Sequence, residues 1–345
     1  MILFSFSQSL LAFDWPQDDI TADSFNSFFG QNRGGEISSS VVFSTPSIVK
    51  AADDGELLVI ISEQDDDTDF FPSTLGNALV LSHKDNILSV YGNLESESTS
   101  NIEKTNQISM KKGEYIAETG TSGWQERVSG LEFQIVDTEN ASSINPKVLM
   151  SRTETEVPLT ITNVTLENKS GNTIDLNITK TIPSGLYKVY YKRNEVACPY
   201  KSSILLNGVI VDKLSYDIII QENEKTCILG KKKYIQESIY PDETRHLLGE
   251  AMFTPGKTTL TVEVENENFN ASGKVCTSQG YLEVLKPKNP NIAYLFLSWY
   301  YKKYAKTAHY FFFVIAERSI YHKIIAENPL SPSKKSNGIH TMMKI

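Results

Sequence analysis

Between residues 20 and 150 the chain is a succession of short apolar runs, each closed by a turn signal: SSVVFS, ELLVIIS, NALVLSH, ILSVYGNL, EYIAETG and LEFQIVD. In the last of these, Leu131, Phe133 and Ile135 alternate with Glu132, Gln134 and Val136. That is the period-two pattern of a strand with one buried face. No convincing amphipathic helix separates the runs, so the region reads as an all-β sandwich or barrel.

A second set of runs fills residues 155–286: VPLTITNVTLEN, TIDLNIT, GLYKVYYK, SSILLNGVIV, YDIIIQE, KTTLTVEVEN and GYLEVL. Short strands at this density predict a second, immunoglobulin-like β-sandwich. The Cys…Trp…Cys spacing of antibody domains is missing, so the likeness concerns architecture only. The chain thus divides into a signal-like segment (1–19), a first β domain (20–152), a second β domain (153–290) and a tail (291–345).

Composition narrows the function classes. With 40% hydrophobic and 22% charged residues in 345, the chain can bury a core. Its net charge is −9, yet the tail carries eight Lys and Arg against two Asp and Glu, so the body is more acidic than the whole. Such a body repels phosphates, which argues against nucleic-acid binding. Three cysteines, Cys198, Cys227 and Cys276, cannot close a disulfide framework, although one bridge would be open to them. The opening MILFSFSQSLLAFDWPQDD has an apolar run ending at Ala12 and then turns acidic, as the core and cleavage zone of a secretory signal do. The acidic stretch EQDDDTDFFPSTLGN (63–77) lacks the ligand spacing of a calcium loop and reads as a solvated turn. The basic, aromatic tail has two readings: a membrane-surface segment, or an end that is not a structural element at all.

The first domain carries a specific resemblance. In order along the chain come FFGQNR (28–33), PSIVKAADDGEL (46–57), LGNALVLSHKDNILSVYGNL (75–94), MKKGEYIAETGTSG (110–123) and LEFQIVD with INPKVLM (131–150). From Gly30 to about Met150 this series resembles the lysostaphin-type (LytM) zinc peptidases, which cleave the peptide cross-links of bacterial cell walls. The resemblance implies a LytM-type β-sandwich followed by the immunoglobulin-like one.

It also implies a metal site that this chain does not spell out. In the family two histidines and an aspartate hold zinc, leaving one position open for water. The matching positions here are Glu36, Ser40 and Gly130 (Ser129 in the alternative alignment), while the catalytic histidines fall at Glu132 and Asn93. Glycine and serine are not useful zinc ligands, and Asn93 cannot exchange a proton near neutral pH. No metal and no cofactor are therefore expected. His83 stands where the family usually has a structural histidine and is expected to tie neighbouring strands; a remodelled cation site of Glu36, Glu132 and His83 is the competing arrangement. Tyr91, Trp124 and Arg127 are the candidate groove contacts.

The expected function is a secreted, catalytically inactive protein of the periplasm or cell envelope. It would bind peptidoglycan or regulate a cell-wall hydrolase partner. The alternatives are an active metallopeptidase with a substituted metal site and a purely structural envelope protein.

Overall fold

The computed structural model describes residues 13–62, 73–105, 108–124, 129–151, 159–194, 197–266 and 275–286. In the first block the alternating runs become strands: β1 (Phe25–Ser27), β2 (Asn32–Arg33), β3 (Glu36–Ile37), β4 (Val41–Phe43), β5 (Ile48–Lys50) and β6 (Gly55–Ile61). They continue as β7 (Ala78–Ser82), β8 (Ile87–Gly92), β9 (Ser109–Met110), β10 (Tyr115–Glu118), β11 (Glu132–Asp137) and β12 (Ser142–Ile144). The central strand is β11. Along one side it pairs with β8, from Glu132↔Gly92 to Asp137↔Ile87. Along the other it pairs first with β4, at Glu132↔Val42, and then with β12, at Ile135↔Ile144. Beyond β8 the sheet runs on through β7, β6 and β9.

Leu131, Phe133 and Ile135 are all fully buried, against Phe43, Leu79, Leu81 and Tyr91 among others. Each such side chain contributes about 1.5–3 kcal/mol of transfer free energy. The all-β reading holds, with few helices; the longest among the described residues is the ten-residue α1 (Ser96–Thr105). In its sequence, SESTSNIEKT, Thr99 and Ile102 are the buried ones among the described side chains. With one apolar residue in ten, that sequence leaves almost no helical periodicity to read.

The second block begins with β13 (Thr165–Asn168), β14 (Thr173–Asp175), β15 (Thr181–Pro183), β16 (Gly185–Lys192), β17 (Lys201–Leu206) and β18 (Val209–Glu222). It ends with β19 (Lys225–Leu229), β20 (Lys233–Ile235), β21 (Arg245–Phe253), β22 (Gly256–Glu265) and β23 (Val275–Leu285). Two short helices complete the elements used below, α2 (Pro146–Leu149) and α3 (Gln236–Ile239). Strands β14, β13, β16 and β21 form one sheet. Its Leu166, Val189 and Phe253 share a core with Ile204, Leu260 and Leu282 of the strands β17, β22 and β23.

The two blocks are sewn together by hydrogen bonds. The free side of β12 pairs with β18, at Ser142↔Ile220 and Ile144↔Ile218, so one sheet runs from the first block into the second. The first core continues with it and takes in Tyr216, Ile219, Ile228, Tyr234 and Tyr240. At the junction Tyr240 donates to the carbonyl of Gly30 at 2.7 Å. Beside it the buried His246 is bonded at both ring nitrogens, to Tyr191 at 3.1 Å and Tyr216 at 2.6 Å.

Residues 13–19, expected to close the signal-like segment, are part of the first block. Phe13 is buried and bridges to Met150, Asp14 donates its N–H to Ala52 at 2.8 Å, and the Trp15 indole donates to Ser151 at 2.7 Å. An apolar-then-acidic composition does not distinguish a signal's end from a first buried segment, and here Phe13 and Trp15 are packed. The apolar run through Ala12, most of the acidic stretch 63–77, and the tail from residue 291 lie outside the described residues. Among the described residues no helix is long and apolar enough to cross a membrane.

Candidate functional site

A two-glycine turn builds one wall of the site. Gly34 and Gly35 both adopt positive φ, +62° and +91°, as the central residues of a type I′ hairpin turn must. The turn sets Arg33 opposite Glu36 across β2 and β3. The hairpin is gripped from the second block: the Gln236 side chain on α3 accepts from Ile37 N–H at 3.2 Å and donates to the Gly35 carbonyl. Between this hairpin, the chain Ser38–Ser40, the outer face of β11 and Trp124 lies an open groove of about 470 Å³.

Its floor is a carboxylate already engaged on both oxygens. Glu132 is buried, because alternation along β11 turns it away from the Phe133 core and onto the groove. One oxygen accepts from Ser40 Oγ at 2.8 Å and from Gln134 Nε2 at 3.4 Å. The other accepts from Arg33 Nη1 at 3.3 Å. The second guanidinium arm reaches the Trp124 carbonyl at 3.5 Å. Arg33 thus ties the hairpin to both β11 and the Trp124 loop.

The residues singled out in the sequence separate into three groups. Glu36, Ser40, Glu132 and Trp124 line the groove together. Gly130 and Asn93 lie beside it as backbone supports. A Cβ at position 130 would stand 1.7 Å from the Phe43 carbonyl oxygen, so β4 occupies the room that a side chain would need. Asn93 is fully buried at φ +61°; its amide donates to the Gly130 carbonyl and accepts from Gly123 N–H, each at 2.8 Å. Arg127 lies outside the described residues.

Tyr91 and His83 belong to another part of the sandwich. Tyr91, expected near the groove floor, is instead fully buried in the core with its ring against Phe133. Its hydroxyl accepts from Ala52 N–H at 2.8 Å, and burial pushes its pKa up to about 12. The inward-facing register of β8 decides this, since position 91 alternates with the groove-side positions. His83 is hydrogen-bonded through Nδ1 to the Asp54 carbonyl at 2.8 Å and through Nε2 to Ser89 Oγ at 2.6 Å. It is not among the groove's lining residues, so it does not join Glu36 and Glu132 in a remodelled site.

Zinc does not fit these residues. Of the three positions that the resemblance would assign to ligands, one has no side chain, one is a hydroxyl committed to Glu132, and Glu36 projects to solvent. A guanidinium already neutralises the nearest carboxylate. Among the described residues no group of three or more His, Cys, Asp or Glu is placed to hold a metal ion.

Two residues that shape the groove were not candidates in the sequence. Arg33 stood inside the FFGQNR landmark without an assigned role. Gln236 lies 199 residues from the Ile37 it holds, and no local pattern marks it.

Residues 36–146 match the model of peptidase family M23. A second family model, without a descriptive name, covers residues 158–276. No curated protein matches the chain. Among solved structures, a zinc-containing peptidase from Vibrio cholerae is 18% identical at a TM-score of 0.29, over 43% of this chain and 41% of its own. This chain therefore spans less than half the length of that protein. A mutant catalytic domain of the prophage-encoded M23 protein EnpA from Enterococcus faecalis is 17% identical at a TM-score of 0.26, over 35% of this chain and 87% of its own. The SpoIIQ–SpoIIIAH pore-forming complex contributes a chain 14% identical at a TM-score of 0.28, over 42% of this chain and 95% of its own. By its family match and by the ordered landmarks that its strands carry, this chain contains a domain of peptidase family M23, the lysostaphin-type (LytM) family, at residues 36–146.

Proposed function

We propose that this protein is a non-hydrolytic M23-fold protein of the cell envelope whose groove binds peptidoglycan. The observation that carries the reading is the knot at the groove floor. Glu132 is engaged by Ser40 and Arg33, and β4 fills the space beside Gly130. Hydrolysis of a peptide bond needs an activated water and a group to exchange its proton. Neither Asn93, held by two hydrogen bonds, nor the guanidinium of Arg33 supplies one. The groove itself, with its polar walls and exposed Trp124, remains available to a ligand. The signal-like N-terminal run supports placement outside the cytoplasm. The second block, read as an immunoglobulin-like module, serves as scaffold by holding the hairpin through Gln236.

The test mixes the full chain with purified sacculi, with and without added zinc, and follows both sedimented protein and soluble wall fragments. Sedimentation without release, unchanged by zinc, is the expected result. Zinc-dependent release would restore the peptidase reading, and failure to sediment would end the wall-binding one.

A further inference from the structure

Resting on that wall-binding reading, we propose that the groove recognises the glycan strand of the wall, a chain of N-acetylated sugars, and not its peptides. Three features of the groove lead there.

First, the floor offers an extended peptide no backbone to pair with. At Glu132 and Phe133, β11 is flanked by β4 on one side and β8 on the other, and β4 is paired in turn with β1. On the hairpin wall, the outward N–H of Ile37 is already taken by Gln236. Recognition by strand addition requires a free edge.

Second, Arg33 is the one cation among the groove's described lining residues, and its charge is met by Glu132. Among the described lining residues a peptide's terminal carboxylate therefore finds no uncompensated positive charge.

Third, the groove presents a stacking platform beside uncommitted oxygens. The backbone of Trp124 is held on both sides, its N–H donating to Thr74 at 2.9 Å and its carbonyl accepting from Arg33. Its indole nevertheless stands 65% exposed at the rim. Glu36, Ser39 and Thr74 line the same groove, and their side chains make no hydrogen bond within the described residues. A pyranose ring has an apolar C–H face and a rim of hydroxyls. The face suits an indole, which offers a large rigid apolar surface at little entropic cost. The rim suits carboxylate and hydroxyl oxygens that can accept and donate.

The experiment measures retention of the full chain on intact sacculi and on glycan strands stripped of their peptides. It adds competition by a soluble neutral N-acetylglucosamine oligomer and by free stem peptides. Retention on both polymers, displaced by the sugar oligomer and not by the peptides, is expected. Trp124→Ala should cut retention at least tenfold without moving the melting temperature, and Trp124→Phe should restore part of it. Retention on sacculi that vanishes once peptides are stripped, or that stem peptides displace, would overturn the glycan assignment and leave wall binding standing. No retention on intact sacculi would overturn both.

Discussion

The Cβ that a side chain at position 130 would need lies 1.7 Å from the carbonyl oxygen of Phe43. Strand β4 and the segment leading into β11 approach so closely there that Phe43 N–H also bonds the Leu131 carbonyl, at 2.9 Å. The pairing that closes the sheet thus excludes a side chain from position 130, where the resemblance to the LytM family would place a ligand.

Gly130→Ala should accordingly cost about 3 kcal/mol or more, the range of severe overpacking against rigid backbone. Urea denaturation of the purified variant measures it. A midpoint close to that of the parent would mean that β4 can withdraw and that position 130 is open to a side chain.

Arg33→Ala should cost about 2 kcal/mol, between the limits for surface and fully buried ion pairs, because it removes the ion pair that Arg33 makes with the buried Glu132. Combining it with Glu132→Gln in a double-mutant cycle isolates the coupling. Additive losses would show that the 3.3 Å contact contributes nothing to the fold.

Gln236→Ala should cost about 1–2 kcal/mol, the net value of two hydrogen bonds with one backbone N–H left unmet. Its sharper effect is local. The Gly34–Gly35 turn loses its tether, so limited proteolysis should find a new cut there while the rest of the chain stays resistant.

A chain ending at Ser151 should lack a cooperative unfolding transition in calorimetry. It would expose the free side of β12 and lose Tyr216, Ile219, Tyr234 and Tyr240 from the first core. Unpaired, apolar strand edges also invite aggregation. A sharp transition in that fragment would show the first block to be autonomous.

Acid should weaken the junction. Burial, reinforced by the charge of Arg193, holds His246 neutral and pushes its pKa from 6.5 down to about 3. Tyr191 and Tyr216 bond its two nitrogens, and Tyr240 packs on its ring. The unfolded chain takes up a proton below pH 6.5 that the folded chain refuses until about pH 3. Stability therefore falls as pH drops through that window, by at most about 1.4 kcal/mol per unit from this group. His246→Gln should flatten the slope of melting temperature against pH between 6 and 4, and an unchanged slope would assign the acid sensitivity to other groups.

Strand content and the order of the M23 landmarks were legible from local pattern. Alternation at Leu131, Phe133 and Ile135 reports which side of a strand is apolar, and that is a property of neighbours in the chain. The same local rule missed α1, which has one apolar residue in ten, and drew the signal-like segment as far as residue 19, although Phe13 and Trp15 are packed. What occupies the groove was settled only by tertiary structure. Whether position 91 faces groove or core depends on the register of β8 against β11, and the carbonyl of Phe43 beside Gly130 depends on a pairing across the sheet. The Arg33–Glu132 contact joins residues 99 apart, and Gln236 reaches back 199 residues to Ile37. A sequence displays which groups a chain possesses. Which of them meet is decided when hydrophobic burial and backbone pairing choose one closed arrangement, and that choice belongs to the whole fold.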